Sequence, residues 1–184
     1  MACEIASAGG VTRKMEMASE TEGKGEVTVM IKSQPDVLWS AIRTSTIMFP
    51  VAIPDLYTSI TPNPKNSEER QVTYGPSSPN IKSSTEVITE NTEEVFIYRV
   101  TGGDIPSKYH VHDFKAIISY PIMQRMSWTW TYRYSPDHQT SASKLNADMA
   151  DIAKQTLEKL DNFSELKVLK LNCMDDLNAY IFTA

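Results

Sequence analysis

From Met126 to Tyr134 the chain alternates without a break. Met126, Trp128, Trp130, Tyr132 and Tyr134 are large and apolar or aromatic, whereas Ser127, Thr129, Thr131 and Arg133 are hydroxylic or charged. Successive side chains of a strand point to opposite faces, so this segment reads as a strand with one wet face and one face that packs or lines something. A strand like this needs partners on both edges and a layer over its aromatic face. The rest of the chain supplies candidates for each.

Val27, Val29 and Ile31 alternate in the same way, and order is expected to begin at Glu26. Ser33-Gln34-Pro35-Asp36 has capping-box spacing with proline in the first turn, which predicts a short helix through Val37, Leu38, Trp39 and Ile42. Met48-Phe49-Pro50 belongs to a second short helix closed by Pro54. Between Tyr57 and Tyr134, turn signals at Pro62–Asn66, Gly75–Pro79, Glu90–Glu93 and Gly102–Asp104 separate short strands, as in an antiparallel meander. Phe96, Tyr98 and Val100 form the expected inner set of one of them.

After Pro136-Asp137-His138 the period changes from two to nearly four. Leu145, Met149, Ile152, Thr156, Leu160 and Phe163 recur at helical spacing, and a helix from about Ser143 to Phe163 would be roughly 30 Å long, enough to cross a sheet. Beyond it, Leu166, Leu169, Cys173 and Leu177 keep an approximate helical period. This segment, 164–184, is expected either to dock on the domain or on a second copy, giving a homodimer, or to fray as termini do. The chain thus divides into a flexible leader, 1–24, one domain, 25–163, and a C-terminal extension.

Composition narrows the functions. A formal net charge of −5 disfavours a duplex-wide nucleic-acid face, and nucleic acid is not an expected partner. No run of about 18 apolar residues occurs, so no membrane span is expected. Cys3 and Cys173 have neither metal-ligand spacing nor a disulfide ladder, which suits a reducing cytosol or nucleus, with the cytoplasm as the expected location. No metal site is expected, since His110 and His112 lack an obvious third ligand.

Several stretches, in order, resemble the plant major latex protein branch of the birch-pollen-allergen superfamily, relatives of START lipid-transfer domains. They are Phe49-Pro50-Val51-Ala52-Ile53-Pro54, Val72 to Pro79, Tyr98 to Asp104, and Phe114-Lys115-Ala116. The resemblance covers about Gly25 to Phe163. It implies an α+β helix-grip fold: a curved seven-stranded antiparallel sheet around a long C-terminal helix, with two short helices after the first strand. It also implies an interior that side chains do not fill, holding a small hydrophobic or amphipathic plant molecule, in carriage, defence or specialised metabolism. The family's glycine-rich loop is replaced by Asn63-Pro64-Lys65-Asn66-Ser67-Glu68-Glu69. Without glycine the backbone cannot readily form a phosphate cradle, so nucleotide binding is rejected.

The expected ligand-binding residues are Phe96, Tyr98, His110, Phe114, Trp128, Trp130, Tyr132, Met149, Ile152 and Thr156. Tyr98, His110 or Tyr132 would orient polar groups. The aromatic residues would equally serve as ordinary core. His110 and His112 share parity with Phe114 and Ala116, so an unbroken strand points both inward, whereas a bulge near Pro106 reverses them. Inward, they are the candidate catalytic residues of the alternative function, a cofactor-free enzyme for cyclisation, condensation or isomerisation by acid–base chemistry. Outward, they are solvent-facing residues at a rim. Lys108 is more readily placed on the surface than in catalysis. No cofactor is expected in either case.

Overall fold

The computed structural model describes residues 20–181, with side chains to residue 163. Strand β1 (Thr21–Met30) leads into two short helices, α1 (Pro35–Arg43) and α2 (Ser45–Ala52). Six strands follow: β2 (Tyr57–Asn63), β3 (Asn66–Tyr74), β4 (Ser83–Asn91), β5 (Val95–Gly103), β6 (Val111–Ile122) and β7 (Arg125–Tyr134). A six-residue helix, α3 (Asp104–Tyr109), joins β5 to β6, and a short 3₁₀ turn (Pro136–His138) precedes the long helix α4 (Gln139–Ile181). The seven strands form one antiparallel sheet in the order β1-β7-β6-β5-β4-β3-β2. None of the described helices is long and apolar enough to cross a membrane.

The alternation in β7 is realised residue by residue. Met126, Trp128, Trp130, Tyr132 and Tyr134 are all buried on the inner face, and α4 covers them with Leu145, Met149, Ile152, Ala153, Leu157 and Leu160. Two glycines of the neighbouring strand make this possible. Gly25 lies opposite Trp130 and Gly23 opposite Tyr132, and an added Cβ would come within 2.3 Å and 2.2 Å of those rings. Strand β1 therefore begins at Thr21, inside the segment expected to be a flexible leader. Glycine weakens a strand as a lone residue, but here its missing side chain is what lets two large rings lie flat over the sheet.

Helix α1 starts as its proline suggests, yet not with the expected capping box. Ser33 makes no cap bond; its hydroxyl donates to Asp161 on α4 at 2.6 Å. The backbone N–H groups of Lys32 and Ser33 donate to the same carboxylate at 2.9–3.1 Å. Asp161, 4% exposed, thus pins the segment just after β1 to the middle of α4. Near the start of the helix, the Tyr132 hydroxyl donates to the Ala142 carbonyl at 2.9 Å, and Trp130 Nε1 donates to Asn146 Oδ1 at 2.9 Å.

Helix α4 begins at Gln139, before the expected Ser143, and runs on through Ile181 without a break. The extension is therefore a continuation of the same helix, not a separate element. The side chains on which docking or dimerisation would depend lie outside the described residues. Helix α3 follows directly on the turn signal at Gly102–Asp104, where no helix is expected from the sequence. It follows Gly103, whose φ of +88° and whose approach to the Ser83 carbonyl, 2.5 Å from an ideal Cβ, leave no room for a side chain.

Candidate functional site

Three strands and α2 meet at a polar centre inside the apolar core. Arg70 of β3 and Glu86 of β4 are cross-strand neighbours on the inner face, with side chains only 5% and 4% exposed. Arg70 donates from Nε (2.9 Å) and Nη2 (2.8 Å) to the same oxygen, Glu86 Oε2. The other oxygen accepts from Ser84 at 3.0 Å, and Ser84 in turn meets the Tyr74 hydroxyl at 3.3 Å. From the far side of the guanidinium, Nη1 donates to Ser45 at 2.8 Å and to Thr46 at 3.4 Å, both on α2. The Phe96 ring lies 5.5 Å from the guanidinium carbon, within cation–π range.

Aromatic residues surround this pair. Tyr57 stacks obliquely on Phe49 (4.9 Å) and on Tyr74 (5.4 Å), and Tyr98 meets Trp128 edge-on at 6.3 Å. The Tyr57 hydroxyl is also bonded to Thr156 of α4 at 2.8 Å. Burial raises the pKa of Tyr57, Tyr74 and Tyr98 well above the ordinary phenol value, and the negative charge of Glu86 adds to the effect. All three stay protonated and keep an O–H to donate. Trp128 Nε1 is buried with no hydrogen-bond acceptor. A buried donor without a protein acceptor is one that a water or a ligand oxygen in the adjoining cavity would satisfy.

The space left at this centre is small. Phe49, Tyr57, Arg70, Glu86, Tyr98 and Trp128 are among the residues enclosing a cavity of about 10 Å³, room for about a single water molecule. The expectation of an interior unfilled by side chains is corrected accordingly. The large inward residues and the ion pair occupy the volume between sheet and helix.

Of the expected ligand-binding residues, Phe96, Tyr98 and Trp128 line the cavity. Thr156 reaches it only through Tyr57. Phe114, Trp130, Tyr132, Met149 and Ile152 are buried but serve packing: Phe114 stacks on Tyr132 at 6.2 Å, and Trp130 and Tyr132 are held by α4. Burial lifts the Tyr132 hydroxyl to about 12.

His110 and His112 do not point inward. His110 ends α3 in the left-handed conformation (φ 56°), is exposed, and stacks on His138 at 4.3 Å. His112 is exposed and contacts Glu20 at 3.0 Å. Asp113, with φ 53°, marks a bulge between His112 and Lys115 that resets the parity, so that Val111 and Phe114 face the core instead. Neither histidine shares a cavity with the polar centre, and among the described residues no lysine is buried.

The residues that sequence reasoning passed over are Arg70 and Glu86, with Phe49, Tyr57 and Tyr74 around them. A signal was present: Arg70 is in phase with Val72 and Tyr74, and Glu86 is two residues from Ser84 and Ile88 on the same face.

No protein-family model matches the chain, and none of the curated proteins matches it. Solved structures do. A point mutant of norcoclaurine synthase from Thalictrum flavum, in complex with a transition-state analogue, superposes with a TM-score of 0.56 at 16% identity, covering 76% of this chain and 97% of that one. The same plant's enzyme in complex with dopamine and hydroxybenzaldehyde gives 0.54 at 15% identity, covering 86% and 98%. An uncharacterised protein of Bacillus thuringiensis gives 0.50 at 12% identity, covering 77% and 97%. At such identities the likeness speaks for architecture alone, and with the element order above it shows that this chain has the helix-grip fold of those structures.

Proposed function

We propose that the domain binds a small amphipathic molecule between sheet and helix, at the Arg70–Glu86 centre. The single observation that carries this reading is a hydrogen-bonded ion pair in an aromatic interior, beside a tryptophan donor that has no acceptor. A buried ion pair is a poor investment for stability, since apolar residues of the same volume generally do as well or better. Its charges and the protonated tyrosines are suited to fixing the polar end of a ligand whose carbon skeleton is held by Phe96, Tyr98 and Trp128. The complex of a same-fold protein with dopamine and hydroxybenzaldehyde shows that this architecture holds small phenolic molecules in that relative.

Entry requires a side chain to leave. Phe49 is the candidate, because it sits on the eight-residue helix α2, which carries Pro50 and is fastened to the sheet's centre through Ser45 and Thr46. The enzymatic alternative gains no support from the histidines, which lie outside the interior.

Native mass spectrometry of the protein incubated with a mixture of phenolics, flavonoids and sterols tests the proposal. A 1:1 adduct is expected, weakened in Trp128→Ala and in Phe96→Leu. Absence of any adduct, or adducts indifferent to both substitutions, would refute binding at this centre.

A further inference from the structure

The walls of the interior cavity do not balance donors against acceptors. Tyr57 gives its proton to Thr156, because the Thr156 hydroxyl already donates to the Ile152 carbonyl at 2.7 Å. Tyr74 gives its proton to Ser84, whose own hydroxyl donates to Glu86 Oε1. Arg70 commits Nε and Nη2 to Glu86 Oε2, and Nη1 to α2. Two donors on the cavity wall are left over. The Tyr98 hydroxyl, which stays protonated, makes no hydrogen bond among the described residues. Trp128 Nε1 has no acceptor either.

Charge and size limit what can meet this surplus. Arg70 and Glu86 cancel, so a third charge would be buried without a counter-ion. An ammonium group would also bring only further donors and no lone pair. A carboxylate would accept, but beside the carboxylate of Glu86. A hydroxyl accepts, yet adds a proton of its own to a chamber already rich in them. A carbonyl oxygen carries two lone pairs and no hydrogen. It is also a one-atom terminus, and the cavity of about 10 Å³ has room for about one water-sized group. We infer that the interior site selects neutral carbonyl compounds (ketones, lactones and esters), held carbonyl-first by the Tyr98 hydroxyl and the Trp128 indole N–H, and rejects amines. This selectivity rests on the proposed binding at the Arg70–Glu86 centre and specifies the functional group that the ligand must carry there.

Five probes on one naphthyl skeleton test it with the full chain, by equilibrium dialysis. They are 2-acetylnaphthalene, 2-ethylnaphthalene, 1-(2-naphthyl)ethanol, 1-(2-naphthyl)ethylamine and 2-naphthoate. The ketone should bind at least about tenfold tighter than the amine and the naphthoate, and about fivefold tighter than the alcohol, the worth of one net hydrogen bond. The ratio of ketone to ethylnaphthalene affinity should fall about fivefold in Tyr98→Phe and in Trp128→Phe, since each removes one donor. Taking the ratio cancels changes in the shape or stability of the cavity. The C=O stretching band of the bound ¹³C-labelled ketone gives a readout independent of affinity. It should lie at lower frequency in the wild type than in either variant, because an accepted hydrogen bond weakens the C=O bond. Two results would overturn the carbonyl selectivity while Phe96→Leu still weakens binding, which leaves interior binding standing. One is an alcohol, amine or naphthoate bound as tightly as the ketone; the other is a ratio and a C=O band unmoved by both substitutions. Binding of none of the five at their solubility limits would overturn the interior site and its selectivity together.

Discussion

Arg70 and Glu86 are buried together, so replacing either one strands the other. Breaking one side of a buried pair costs about 3–5 kcal/mol, because the remaining charge has lost its counter-ion. For Glu86→Leu, at roughly 2–4 °C per kcal/mol for a domain of this size, the melting temperature should fall by about 6–20 °C. Arg70→Met strands a carboxylate instead, and a carboxylate has an escape that a guanidinium lacks: it takes up a proton. Its folded-state pKa then lies above the ordinary value of about 4.3.

The consequence for pH has a definite sign. A group whose pKa is raised on folding contributes stability that is intact below the unfolded value and is lost as pH rises toward the folded one. The loss accrues at about 1.4 kcal/mol per pH unit, reaching at most about 3.7 kcal/mol at pH 7. The deficit of Arg70→Met relative to the wild type should therefore shrink as pH is lowered from about 7 to about 5, while that of Glu86→Leu stays flat. The double variant, apolar at both positions, should lie within about 1–2 kcal/mol of the wild type or above it. Urea denaturation of all four proteins across this pH range measures each quantity. Equal deficits at both ends of the range for Arg70→Met, or a double variant as unstable as the worse single, would refute the reasoning.

Four other outcomes are expected. Asp161→Ala leaves the Lys32 and Ser33 N–H groups and the Ser33 hydroxyl without their acceptor, and should cost about 2–4 kcal/mol in urea denaturation. Gly25→Ala drives a methyl group into the Trp130 ring and should cost about 1–3 kcal/mol by the same measurement, with a changed near-ultraviolet circular dichroism signal. Trp128→Ala should weaken an aromatic ligand of the interior by about 1–3 kcal/mol in calorimetric titration, whereas Thr129→Ala, on the opposite face, should leave affinity unchanged. His110→Gln and His112→Gln should shift stability by no more than about 0.5 kcal/mol and leave ligand affinity intact, as exposed positions outside the cavity do.

Much of the architecture was legible because the strands that matter obey strict parity. Met126 to Tyr134 could be assigned face by face, and the change of period after Pro136 announced the long helix. The misreadings share a physical cause: each lies where a residue's neighbours in space override its own preference. Gly23 and Gly25 look like linker until the rings of Tyr132 and Trp130 are seen to need the vacant space. His110 and His112 look inward until the positive φ of Asp113 inserts a residue into the ladder. Arg70 and Glu86 were passed over because isolated charges usually face water. Here each is the other's reason for being inside, a relation between strands β3 and β4 that no single-strand pattern reveals.

Under the proposed binding role, the same guanidinium also bears on which ligands gain entry. Two of its nitrogens hold Glu86 within the sheet, and the third holds Ser45 and Thr46 of α2. Withdrawing Phe49 with α2 therefore breaks at least one hydrogen bond to a charged donor, at a cost of about 1.5–3 kcal/mol. The closed form is then favoured by roughly 10- to 100-fold, and the apparent affinity of any interior ligand falls by the same factor. A ligand that carries an acceptor can take the place of Ser45 on Arg70 and recover the loss, or can accept from Trp128. A purely apolar ligand recovers neither and leaves the guanidinium short of a partner. Selection for amphipathic molecules over hydrocarbons thus follows from the filled interior itself: the ligand must replace the hydrogen bond that its own entry breaks.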